Sequence, residues 1–494
     1  MKSKMTTKQF LFTVVLFLAF LRRIDVLRTV EMTRLKFIAF LDNDYVEYRD
    51  SLSVRSQELQ YKFMAETQKV WQKLTDYSKT IQAALTSSTM NLKATLNLQQ
   101  LQIQNYLGEK YDTLKSLLVL DSDYHVEFQD IFTSKGYPIE THFVTTADGY
   151  ILQLFRVQAR GQKGINVFKK PVFLNHGLFC SSDVWVFNGE VASPAFILAN
   201  EGYDVWIGNA RGNHFGRNHT RLNPDKDNDF WDFSWQHMAL YDVPDSIQYI
   251  YSHTRQPVTI IGHSQGALTV LGMLANDVEN NTKPMLGKIF LLGPLIFMKN
   301  VNNDLIKTVK EIDLNWFMEK TGALEFAIPH RLMRTVAVPF CYFLPGLCGE
   351  IFRFFSDTDP TLMNLGRVYV LTGRFPGGVS IKNVLHIHQM VREQNYDLRL
   401  FDHGEALNKV KYGMEIAPVL NLSSITAHLY IFGGRQDRLT TIEDIRQGIE
   451  RLPSVTYQEI DAGHMSFLLG TNMSYLYTIM DAMGEAESAQ KIIL

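Results

Sequence analysis

Seven short runs rich in β-branched and aliphatic residues, separated by stretches that suit helices, constrain this chain more than any other feature. Strands are read at Tyr150–Val157, Pro171–Asn175, Tyr203–Ile207, Val258–Ile261, Lys288–Leu292, His428–Phe432 and Thr456–Ile460. Unbroken runs such as Val258–Ile261 suit strands buried on both faces. Strands that alternate with helices predict an α/β fold, a mostly parallel sheet with helices on both sides. Reactive groups in such sheets gather beyond the carboxyl ends of the strands. The residues just after each strand are therefore where chemistry is sought.

After Val258–Ile261 comes Gly262-His263-Ser264-Gln265-Gly266, and from Ala267 the residues suit a helix. A serine on so sharp a strand-to-helix turn has its hydroxyl exposed above the sheet, with small neighbours where strand and helix nearly touch. The helix N-terminus also offers N–H groups where negative charge would develop. A serine hydroxyl is a weak nucleophile alone and needs a base. Beyond the strand His428–Phe432 lies GGRQDRLT, whose only carboxylate is Asp437. Thr440 to Glu443 then has capping-box spacing and opens a helix ending near Leu452-Pro453. Beyond Thr456–Ile460 lies DAGHMSF, with His464. The order Ser264, Asp437, His464 is that of nucleophile, acid and histidine in α/β-hydrolases. Asp461 is too close along the chain to His464 to occupy another strand end, and His263 is expected to point away from the serine. For an oxyanion, Gln265 supplies one backbone donor and Leu178, in the HGLFCSS that follows Pro171–Asn175, the other.

Other chemistries find less support. With 494 residues and a formal net charge of −2, the chain shows no basic excess for nucleic acid. No GxxxxGK[ST], HExxH or CxxC occurs. His386 and His388 have no third ligand nearby, and their i, i+2 spacing does not share a helix face. Cys341 and Cys348 could close one loop in an oxidising compartment, with Cys180 left over, or all three could be buried thiols.

The N-terminal end has a different texture. Lys2, Lys4 and Lys8 precede the apolar run Phe10 to Leu21, and Arg22 and Arg23 follow. Twelve residues fit a signal-peptide core better than a span of about 20, and an uncleaved anchor to an endomembrane is the alternative. Sequons at Asn218, Asn280, Asn421 and Asn472 agree with the secretory pathway. Met1 to Leu107 contains no glycine or proline. Residues 26–125 therefore read as a helical extension, with stripes at Leu74, Tyr77, Ile81 and Leu85 and at Ile103, Leu107, Tyr111, Leu114 and Leu118 that suit a helical partner or self-packing.

HGLFCSSDVW, GYDVWIGNARGN, FWDFSWQHMALYDVP, GHSQG, GGRQDRLT and AGHMSF occur in this order. Together they make the chain, from about Val126 to about Met483, resemble the acid lipase family of gastric and lysosomal acid lipases and steryl ester hydrolases. The resemblance implies an α/β-hydrolase core, split into 126–297 and 393–485, with an inserted cap and lid at 298–392. It implies cleavage of neutral-lipid esters at a lipid–water interface, without a cofactor, by a secreted or lysosomal enzyme. It assigns Ser264, Asp437 and His464 to a triad and Leu178 and Gln265 to the oxyanion hole. The aromatic-rich stretch with Trp316, Phe317, Phe326, Phe340, Tyr342, Phe343, Phe352, Phe354 and Phe355 suits such a lid. A non-catalytic lipid-binding or scaffold protein, a thioesterase and a peptidase are the competing readings.

Overall fold

The computed structural model describes residues 121–484, apart from 162–164, 167, 277–280, 302–323, 328–329, 344–347, 349–356, 358 and 394, together with Asp76. The N-terminal apolar run, nearly all of the proposed helical extension, Asn280, Trp316, Phe317, Phe352, Phe354 and Phe355 lie outside the described residues. Among the described residues no helix is long and apolar enough to cross a membrane.

The chain folds around a mostly parallel sheet covered by helices. Its main sheet is built from β1 (Ile139–Thr145), β2 (Tyr150–Val157), β3 (Pro171–Asn175), β4 (Asp204–Ile207), β5 (Asn218–His219), β6 (Val258–His263), β7 (Leu286–Leu292), β10 (Leu429–Gly434) and β11 (Val455–Ile460). The strands run in the order β1-β2-β4-β3-β6-β7-β10-β11, with β5 on β2. From β4 to β11 every neighbouring pair is parallel, whereas β1, β2 and β5 pair antiparallel and β2 meets β4 antiparallel. A second small sheet pairs β8 (Glu325–Phe326) with β9 (Val379–Ser380).

The central strands are mostly apolar because helices cover both faces. Val172 and Leu174 of β3 join one hydrophobic cluster, with Trp185 and Phe196, while Phe173 joins the other, with Trp206 and Trp235. The two-residue alternation of a strand thus feeds two cores at once. β2 and β3 have the bounds read from sequence; the remaining five differ by one to three residues at their ends. β6 runs on to His263, directly against Ser264.

Strand β1 was not foreseen. Only Val144 in it is buried, Phe143 is exposed, and His142 lies with its ring 4.7 Å from that of Trp206. An edge strand that turns a phenylalanine outward and a histidine inward carries no clean alternation of apolar and polar residues.

Between β7 and β10 the described elements include the helices His330–Phe343, Val368–Arg374 and Ile381–Arg392. A disulfide joins Cys341 to Cys348, with Cα atoms 5.2 Å apart, and Cys180 is a buried free thiol. The turn Ser122–Tyr124 packs into the core, where Tyr124 meets Tyr369 edge-on.

Candidate active site

The junction of β6 and the helix Gln265–Ala275 is closely packed. Ser264 has φ 57° and ψ −122°, a conformation costing a non-glycine residue about 1–3 kcal/mol. It persists because its surroundings leave no room to relax. A Cβ on Gly266 would land on the Asn175 carbonyl oxygen, and one on Gly262 would lie 3.0 Å from Ala267 Cα. Asn175, the last residue of β3, donates its amide to Gly266 O and Thr269 Oγ1, both at 2.9 Å, which ties the helix to the sheet. The Ser264 N–H donates to Leu292 O at 3.0 Å.

Two further strand ends converge on this serine. His464 follows β11, and its Nε2 lies 2.9 Å from Ser264 Oγ. Its Nδ1 lies 2.7 Å from Asp437 Oδ2, so Nδ1–H donates to the carboxylate and Nε2 accepts the serine O–H. All three side chains are buried. Burial alone would lower the pKa of His464. The Asp437 charge and hydrogen bond outweigh it, so the net direction is upward.

Asp437 is fixed by the residues that follow it. Its Oδ1 accepts the Leu439 and Thr440 N–H groups at 2.8 and 2.9 Å, and its Oδ2 accepts the Thr440 hydroxyl at 2.6 Å. Thr440 therefore does not cap the next helix as its spacing suggests. Thr441 is the cap, accepting the Asp444 N–H at 3.3 Å, and the helix spans Ile442–Ile449. Asp461 is exposed. His263 does not simply point away: its Nε2 donates to the His464 carbonyl at 3.0 Å, with the two rings 4.7 Å apart. Burial holds its pKa well below the ordinary histidine value, so it acts as a neutral donor.

The Gln265 N–H belongs to the first residue of its helix, one of the first-turn donors that have no acceptor within the helix. Leu178 follows Gly177, whose close approach to the elbow is such that a Cβ there would sit 2.9 Å from Ser264 Cβ. The side chains behind these donors were not singled out from sequence. His176 Nδ1 donates to Gly177 O at 2.9 Å, while Nε2 accepts the Ala210 N–H at 3.0 Å and the Asn213 amide at 3.1 Å. Arg211 donates to Asp242 and Asp148, each within 3.0 Å. The motifs HGL, NARGN and LYDVP are thus parts of one buried polar support. The Gln265 side chain accepts the Asn383 amide at 2.7 Å, from the helix Ile381–Arg392. The Phe179 carbonyl accepts the Gly377 N–H at 2.6 Å, and its ring meets Phe326 edge-on at 5.0 Å.

Of the remaining candidates, Asn218, Asn421 and Asn472 are exposed. His386 bonds Ser234 Oγ and Arg399 O through its two nitrogens, both at 3.0 Å, and stacks on Trp235. Among the described residues no group of three His, Cys, Asp or Glu stands together as a metal site.

Residues 128–189 match the family described as the partial α/β-hydrolase lipase region, and residues 170–351 match the α/β-hydrolase fold family. Lipase lipl-1 of Caenorhabditis elegans is 33% identical over 349 residues, covering 68% of this chain and 85% of that protein. Lipase member N of Mus musculus is 34% identical over 351 residues, 69% of this chain and 86% of its own. Lysosomal acid lipase/cholesteryl ester hydrolase of Homo sapiens is 31% identical over 361 residues, 72% and 89%.

Proposed function

The chain belongs to the α/β-hydrolase lipase family and is a carboxylic ester hydrolase, and from that premise we propose that it cleaves esters of neutral lipids, triacylglycerols or steryl esters, through an acyl-enzyme on Ser264. Relatives named as a triacylglycerol lipase and as a cholesteryl ester hydrolase support both substrate classes. The observation that carries the mechanism is the pair of contacts made by His464, 2.9 Å to the Ser264 hydroxyl and 2.7 Å to the Asp437 carboxylate.

Ser264 Oγ attacks the ester carbonyl carbon while His464 Nε2 takes the hydroxyl proton. The carbonyl oxygen becomes an oxyanion, received by the Leu178 and Gln265 N–H groups. Collapse breaks the bond to the alcohol, which leaves with the proton from His464. Water, deprotonated by the same nitrogen, then attacks the acyl-serine and releases the fatty acid. Asp437 stays anionic throughout, holding the imidazole tautomer and stabilising its cation.

In this reading residues 298–392 form a cap whose aromatic residues meet the lipid, and opening exposes them at the interface. The catalytic region works in the secretory pathway, in a lysosomal or extracellular setting. The Phe10–Leu21 run, the exposed sequons, the Cys341–Cys348 disulfide and the lysosomal and gastric relatives support that location.

An organophosphonate is expected to label Ser264 stoichiometrically. Ser264→Ala should abolish labelling and leave only residual turnover of a long-chain ester, with the circular dichroism unchanged. Near wild-type activity in that variant would refute the assignment.

A further inference from the structure

Asp357 is a carboxylate that the mechanism above does not use. It stands between Cys348 and the helix Val368–Arg374, far from the other site residues in sequence, and its side chain is fully buried. Its backbone forms an antiparallel bridge with Asp437. Its Oδ1 accepts the Met465 N–H at 3.0 Å, and its Oδ2 accepts the Ser466 hydroxyl at 3.2 Å. Ser466 Oγ in turn accepts the Gly463 N–H at 2.5 Å. A Cβ on Gly463 would collide with the Asp357 carboxyl carbon, so the glycine of AGHMSF leaves room for this carboxylate. His464 sits in the middle of the turn that these contacts define.

We propose that Asp357 is a positioning residue for His464: its carboxylate clamps the Gly463–Ser466 turn and gives the imidazolium a second negative charge beside Asp437. The inference rests on the esterase reading and deepens it. Clamping needs only an acceptor, which a neutral amide or hydroxyl also provides. A fully buried carboxylate carries a desolvation cost of several kcal/mol. Its charge meets a need of the reaction, because proton transfer from Ser264 puts a positive charge on His464 in a water-poor site. Among the described residues the titratable groups set against that ring include Asp437 from the loop after β10 and His263 at the end of β6, while Asp357 from the inserted segment bonds the two residues that follow His464. His263 is held neutral, so the two aspartates supply the negative field. The Asp357 charge acts on His464 in the same direction as that of Asp437.

The test is D357N in the full chain, assayed with p-nitrophenyl butyrate across the acid limb of kcat/KM. The amide keeps an acceptor for the Met465 N–H and removes the charge. His464 must be neutral to act as base, so loss of the charge moves the limb to lower pH. The plateau should fall roughly tenfold. From the plateau to the acid side, the ratio of D357N to wild type should rise about threefold or more. Ser466→Ala, which loosens the turn and keeps the charge, should lower the rate and leave the limb in place. Parallel profiles for D357N and wild type overturn the proposal, as does a D357N protein that fails to fold, since the carboxylate would then serve the fold. A wild-type protein that neither hydrolyses the ester nor labels at Ser264 would instead refute the esterase reading.

Discussion

Two buried histidines flank the chemistry, and their surroundings pull them in opposite directions. His176, just after β3, meets only backbone and amide partners among the described residues, and burial pushes its pKa down to about 4. His464, just after β11, is as deeply buried and lies against a carboxylate, and its pKa moves up. The first is a neutral strut that accepts two N–H groups and holds the turn before Leu178, the proposed oxyanion donor. The second, the proposed base, can carry a charge. Burial makes a histidine neutral, and only an aligned carboxylate makes it ready to take a proton.

The strongest way to break this contrast is to remove the charge from the second site. Asp437→Asn is expected to lower kcat on the order of 10⁴-fold while the fold persists, because the amide neither fixes the tautomer nor stabilises the imidazolium. Steady-state kinetics beside a thermal melt would check this, and a loss below tenfold would contradict the role given to Asp437.

His176→Phe should act first on stability. The Ala210 N–H and Asn213 amide would lose a buried acceptor, a cost of about 1–3 kcal/mol for a stranded donor. Urea unfolding would read that loss, together with a fall in kcat of about one to two orders of magnitude if the Leu178 N–H drifts. An unchanged midpoint would show that the strut is dispensable.

The smallest effect sharpens the comparison through pH. A histidine with a lowered folded pKa costs stability as pH falls from its ordinary value of 6.5 towards about 4, and His176 and His237 both behave so. His464 has the opposite sign. Its contribution is present below 6.5 and is lost as pH rises through its higher folded pKa. Unfolding free energy measured against pH should therefore slope on both sides, by at most about 1.4 kcal/mol per pH unit for each histidine. In D437N the alkaline slope should shrink and the acid slope remain; an alkaline slope left unchanged would mean His464 is not its source.

Much of this was legible because it is written locally. Val258–Ile261 reads as a strand by composition, and Gly262 and Gly266 mark a turn where strand and helix touch. The chain order of Ser264, Asp437 and His464 at strand ends follows from reading a parallel sheet. The supports were not legible, although their motifs were in view. Nothing along the chain says that His176 faces Ala210, that Arg211 lies between Asp148 and Asp242, or that Asn383 reaches Gln265. Those partners are 31 to 118 residues apart, and a buried polar side chain has no periodicity to betray it.

By itself, then, the sequence determined the layers and the rim: which runs form the sheet, their ends to within a few residues, and which serine, aspartate and histidine stand just beyond them. Local patterning is enough for that, because burial on a strand depends on neighbours one and two residues away. Only the tertiary structure decided which histidine is a strut and which meets a carboxylate, that Thr440 serves Asp437 and not the helix, and that Asp357 lies behind His464. A side chain's charge state depends on what packing brings within a few ångströms, and along this chain those groups come from segments far apart in sequence.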